Sequence, residues 1–87
     1  MAGIIYTGFT YRGNTTANAD DLSDIGVYRI NQLEGYDSLN YPLNNGYIVN
    51  FRNYRGFQLF YAGDNPTSIY YRHLWNGWTE WKQIPLT

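Results

Sequence analysis

Glycine and asparagine interrupt this chain at intervals of roughly 8–12 residues, and short aromatic and β-branched runs lie between them. Such runs are too short for helices, which need about 12–15 residues to stand in water. They suit strands, so the spacing predicts an all-β domain. Strands are expected at Ile4–Tyr11, Val27–Asn31, Tyr47–Asn53, Phe57–Tyr61, Ser68–Leu74 and Thr79–Ile84. Turns are expected at Arg12-Gly13-Asn14, Asn44-Asn45-Gly46, Arg55-Gly56, Gly63-Asp64-Asn65-Pro66 and Asn76-Gly77. Asn45-Gly46 and Asn76-Gly77 are the strongest hairpin signals, because both central residues of the favoured turn need positive φ.

Alternation organises the second half. In Tyr47-Ile48-Val49-Asn50-Phe51-Arg52 the odd positions are apolar and the even ones become polar. Phe57, Leu59 and Tyr61 share a face; so do Tyr70, Arg72 and Leu74, with Ile69, Tyr71 and His73 opposite. Both faces are partly apolar, which predicts a sheet covered on two sides. The strands from Tyr47 to Leu74 read as a meander, extended by a fourth at Thr79. The expected architecture is a small antiparallel β-sandwich or partly open barrel with at most one short helical turn. That turn is Ala17–Ser23, capped by Asn18 or Asp20. Residues 33–45 form a long irregular loop, a length often tied to function. Arg12–Asp20 is the most linker-like stretch, which divides the chain into a strand and linker segment (1–19) and a β domain (20–87).

At 87 residues the chain fits one small domain. The absence of Cys excludes disulfides and thiolate zinc sites. A net charge of −1 argues against nucleic acid or an anionic membrane as main partner. The N-terminal residues lack a signal-peptide pattern, and no apolar run reaches the roughly 20 residues of a membrane helix, so no membrane insertion is expected. Aromatic residues make up 20% of the chain, mostly Tyr and Trp, whose polar tips need partners when buried. Some rings are therefore expected at the surface or at a subunit contact, and oligomerisation or neighbouring domains are expected to support a chain this small.

The candidate residues each carry a plain structural reading as well. Trp78 and Trp81 are three apart, which in a strand puts them on opposite faces, one in the core and one outward. Trp75 flanks the Asn76-Gly77 turn, where burial is hard. Arg29, Arg52, Arg55 and Arg72 sit beside Tyr or Phe, and guanidinium planes stack on rings. Their structural reading is stacking at a sheet surface; their functional reading is recognition of anionic sugars or cell-wall phosphates. His73 is the only His and cannot build a zinc site with scattered acids. Asp20, Asp21 and Asp24 with Asn18 miss the Ca²⁺-loop spacing, and a helical cap accounts for them. No metal or other cofactor is expected. Glu34 with Asp37, or Asp64 with Glu80, could be paired for glycoside hydrolysis, but nothing in the sequence desolvates them. A non-catalytic role is expected.

Ala19-Asp20-Asp21-Leu22, Gly26-Val27-Tyr28-Arg29-Ile30, Gly46–Arg52 and Phe57–Tyr61 lead to a closing Tyr70-Tyr71-Arg72 and Gly77-Trp78-Thr79-Glu80-Trp81. This order resembles the pyocin-knob modules of tailed-phage fibres and tailocins, over about three-quarters of the chain. Trp75 departs from it, since the family turn is more polar there. The resemblance implies a small knob-like β domain in a trimeric, extracellular virion fibre. It implies a homotrimer contacting other phage tail proteins, with either host cell-surface polysaccharide or no ligand of its own. The expected glycan contacts are Trp75, Tyr36, Tyr41 and Arg72. The tyrosines sit among Asp37, Ser38, Asn40 and Asn44, short polar arms suited to sugar hydroxyls.

Overall fold

A computed structural model describes residues 10–52, 55–63 and 67–85. The expected strand Ile4–Tyr11 lies outside them except for its last two residues. The described chain forms six strands: β1 (Tyr11–Asn14), β2 (Gly26–Ile30), β3 (Gly46–Arg52), β4 (Gly56–Ala62), β5 (Ser68–Leu74) and β6 (Lys82–Gln83). They make one sheet in sequence order. The all-β class, the C-terminal meander and the single short turn, a 3₁₀ turn at Ala19–Asp21, are as expected. The sheet is mixed rather than wholly antiparallel, because β1 runs parallel to β2. It stays open, and what packs on it is not a second sheet.

The β1 pairing corrects the reading of Arg12-Gly13-Asn14 as a turn. Gly13 has φ 89° and sits where the register slips between Tyr11 and Gly13. Its glycine signal belongs to a bulge inside a strand. Parallel neighbours need a crossover, and residues 15–25 supply it, carrying the 3₁₀ turn across one face of the sheet. Asn18 caps that turn through its Oδ1, which accepts from the Asp20 amide at 2.9 Å.

Asn45-Gly46 is likewise not a two-residue hairpin. β2 ends at Ile30, and residues 31–45 form the long connection before β3. Gly46 is needed for close approach: a Cβ there would lie 2.6 Å from the Tyr61 carbonyl oxygen and 2.7 Å from the Phe60 ring. Asn76-Gly77 does form a tight turn, with Asn76 at φ 58°, Gly77 at φ 115° and a bridge between Leu74 and Trp78. The expected strand Thr79–Ile84 shrinks to Lys82–Gln83.

The core lies on one face only. Ile30, Ile48, Phe60 and Ala62 point from the strands towards Ala19 and Leu22 of the crossover and Leu33 and Tyr41 of the long connection. Tyr28, Tyr36, Leu39, Leu43, Tyr70 and Trp81 pack around them. The crossover and residues 31–45 thus act as the second layer. Their own backbone is tied by Ala19 N–H donating to the Leu39 carbonyl at 2.9 Å and Tyr41 N–H to the Tyr36 carbonyl at 3.0 Å.

Gly46→Ala is expected to destabilise the domain by about 1–3 kcal/mol through overpacking against Phe60. Urea unfolding checks this, and a change within a few tenths of a kcal/mol would contradict the close approach.

Candidate functional site

Register brings Asn50, Gln58 and Arg72 side by side across β3, β4 and β5. All are buried, at 0%, 0% and 4% exposure. Alternation marked Asn50 only as a polar position on the even-numbered face; the structure puts it inward beside Ile48. The reason is that these side chains satisfy one another and the crossover. Asn50 Nδ2 donates to the carbonyls of Leu22 and Asp24 at 3.1 and 2.9 Å. Gln58 Nε2 donates to the Ala19 carbonyl and to Asn50 Oδ1, both at 2.9 Å. Arg72 Nε donates to Gln58 Oε1 at 2.8 Å, and its Nη2 pairs with Asp20 Oδ1 at 2.8 Å. Arg52 Nη1 adds a bond to the Asp20 carbonyl at 2.6 Å. A buried polar row is costly when partly satisfied and rigid when fully satisfied; in this one hydrogen bonds link the amides to Arg72, and an ion pair rather than a hydrogen bond closes it at Asp20.

The closing sequence motif acquires a physical meaning here. The Arg72 guanidinium carbon lies 4.4 Å from the Trp78 ring centroid and 4.8 Å from that of Trp81. Both indoles therefore gather about one buried cation. The expectation of opposite faces is corrected, because residues 79–81 are not strand and parity does not apply to them. Trp81 also meets Phe60 edge-on at 6.2 Å and donates its Nε1 to the Asn40 carbonyl at 2.8 Å. Trp78 Nε1 has no hydrogen-bond partner among the described residues.

Asn40 is the joint that sequence reading missed as a structural residue. It holds a left-handed conformation at φ 66°. Its Nδ2 donates to Asn18 Oδ1 at 2.9 Å and to Asp20 Oδ2 at 3.2 Å. Through its side-chain amide and its main-chain carbonyl, this one residue ties the long connection, the 3₁₀ turn and Trp81 together. The only sequence signal for it was its tolerance of positive φ.

Over this joint opens a cleft of about 380 Å³. Arg72, Tyr41, Trp78 and Trp81 line it, with Asn40 and Thr79 as polar arms and Asp20, Asp37 and Glu80 as carboxylates. Asp37 and Glu80 are exposed. One guanidinium faces three carboxylates, so the cleft is acidic as a whole. Arg72 has its charge met by Asp20, and burial pulls its pKa below the ordinary value while that carboxylate pulls it back. An arginine already bound on several sides is a poor receptor for an added anion.

The expected contact residues divide. Arg72 and Tyr41 line the cleft but are structural in their burial. Tyr41 is 3% exposed and donates its hydroxyl to the Ala17 carbonyl at 2.8 Å; burial pushes its phenol up to about 12. Tyr36 is half-buried against the core and is not among the lining residues. Trp75 is 51% exposed, as its turn position implies, yet it stands apart from the cleft with the Arg55 guanidinium 3.5 Å from its ring centroid. Arg29 over Tyr47 at 5.7 Å and Arg52 by Trp78 at 6.0 Å complete the stacking expected of these arginines.

A family model for the third domain of phage-like element PBSX protein XkdV matches residues 12–83. No curated protein and no solved structure matches the chain. The matched stretch runs from β1 to β6 and so contains the polar row, both indoles and the cleft.

Gln58→Leu keeps the side-chain size but leaves Arg72 Nε, Asn50 Oδ1 and the Ala19 carbonyl without their partner. A loss of about 3 kcal/mol is expected in urea unfolding. Gln83→Leu, on the exposed β6, is expected to change stability by no more than about 0.5 kcal/mol. Equal effects from the two would contradict the role given to the row.

Proposed function

Since the chain belongs to the family of the third domain of phage-like element PBSX protein XkdV, we propose that this phage structural module is a non-catalytic part of a tail fibre or receptor-binding protein and binds host cell-surface glycans. The observation that carries the reading is the cleft, where two indoles stand beside amide, hydroxyl and carboxylate groups. Binding sites combine apolar ring surface with a few placed polar groups in this way. An indole stacks on the apolar face of a pyranose, while Asn40, Thr79, Asp37 and Glu80 meet its hydroxyls. Attachment by a fibre tolerates weak single sites, because linked copies raise avidity by roughly 10²–10⁴.

The charge balance of the cleft turns the expected ligand class around. Anionic sugars and cell-wall phosphates were one reading of the arginines. With Arg72 already paired, a neutral saccharide or one bearing a protonated amine fits the carboxylates better. The same carboxylates support binding over hydrolysis. An acid catalyst of glycoside cleavage needs a carboxyl desolvated enough to hold its proton. Asp20 is engaged by Arg72 and Asn40, and Asp37 and Glu80 face solvent.

Titration with glucosamine, N-acetylglucosamine and glucuronic acid oligomers, followed by NMR, tests the reading. The indole N–H signals of Trp78 and Trp81 are expected to shift with the first two and not with the third. Asp37→Asn with Glu80→Gln is expected to abolish the preference for the amine. A chain whose indole signals ignore all three, or follow the uronate best, would contradict it.

A further inference from the structure

Among the described residues, no second layer covers the face of the sheet opposite the core. Three cross-strand rows run over it. The central row is Val27, Val49, Leu59 and Tyr71. Beside it lie Arg29, Tyr47, Tyr61 and Ile69 on one side and Phe51, Phe57 and His73 on the other. Every one of these residues is half-buried or exposed, and none is fully covered. Tyr47, Phe57, Tyr61 and Tyr71 are 40%, 37%, 46% and 38% exposed. Phe51 and Phe57 stack on each other at 5.4 Å and 7°.

We propose that this face packs against a second copy of the chain. Its area is the first argument. The four exposed rings offer roughly 320 Å² of mainly apolar surface, taking about 200 Å² per whole ring, and the half-buried aliphatic residues between them add to it. That lies within the about 300–600 Å² of the largest patch on a monomer, a patch that is often functional. It would form the apolar centre of the roughly 800 Å² that each partner contributes to a standard interface. The chemistry is the second argument. The three rows carry no amide, hydroxyl or carboxylate side chain apart from the phenols, so a saccharide would find few partners there. A protein face of the same kind would. The placement of charge is the third. Arg29 and His73 lie in the outer rows, and the central row of Val27, Val49, Leu59 and Tyr71 is neutral, so apposed copies bring uncharged surface to the middle. None of the strands contains an acidic residue; the carboxylates sit on the other layer, around the cleft. Self-association through this face therefore leaves the cleft open. It also supplies the cover for both sheet faces that the alternation predicts.

Sedimentation velocity across micromolar concentrations tests the proposal. The wild-type chain is expected to associate, with a sedimentation coefficient that rises with concentration. Leu59→Glu and Tyr61→Glu are expected to sediment as monomers, while Asp37→Lys, on the opposite layer, keeps the wild-type behaviour. Circular dichroism establishes that the variants fold. Hydroxyl-radical footprinting of the wild type covers the case in which they do not. Tyr47, Tyr61 and Tyr71 are expected to become protected as concentration rises, and Trp75 is not. A wild-type monomer throughout the range, association that survives both glutamates, or protection that spares the three tyrosines would each overturn it.

Discussion

Everything on the inner side of this sheet depends on how Asn50, Gln58 and Arg72 hold the crossover. A 3₁₀ turn of three residues has no stability of its own, and the crossover carbonyls from Ala19 to Asp24 need partners beyond its few internal bonds. The row of side chains takes those carbonyls one after another, from Ala19 through Leu22 to Asp24. Buried amides would be a burden in a core this small if any stayed unpaired. Here sheet and crossover each supply what the other lacks. The irregular layer is fixed to the sheet by hydrogen bonds as much as by apolar contact, and the cleft inherits its shape from that attachment.

The sequence carried the regular parts well. Alternation located β3, β4 and β5 to within a residue or two, and the four arginines do lie against rings, though against Tyr47, Trp75, Trp78 and Trp81 rather than their chain neighbours. Of the two caps expected for the one helical turn, Asn18 proved to be the cap. What parity could not settle was which face looks inward. Arg72 read as a sheet-surface position and Asn50 only as a polar one, whereas the partners of the row lie far along the chain on a crossover that no local signal places over the sheet. Gly13 and Gly46 were read as turn residues because glycine marks turns, bulges and close contacts alike. The two indoles were misassigned for a related reason: residues 79–81 leave the strand, so a period of two no longer governs them. Tyr41 and Arg72 were recognised as important and placed at the surface, when their importance lies in holding the floor of the cleft.

Two unlike surfaces result from this arrangement. One layer is irregular, acidic and indented, with rings and polar arms around a small opening. The other is regular, acid-free and aromatic. Under the proposed function and the proposed self-association, attachment to ligand and attachment to further copies would not compete for the same residues. The closing motif belongs to the first surface, and its Arg72 core gives a reason for the Tyr-x-Arg strand and the Gly-Trp-Thr-x-Trp segment of this chain to occur together. Each indole needs the cation, and the cation needs Gln58 and Asp20.

The side-chain amides of Asn50 and Gln58 offer the most direct test of this account. Their NH₂ protons can be followed by hydrogen exchange in the native protein. If the row holds the crossover to the sheet, these protons resolve at shifted frequencies and exchange slowly, near the rate of global unfolding. Side-chain amides that exchange at solvent-exposed rates while the β3–β5 backbone stays protected would contradict it.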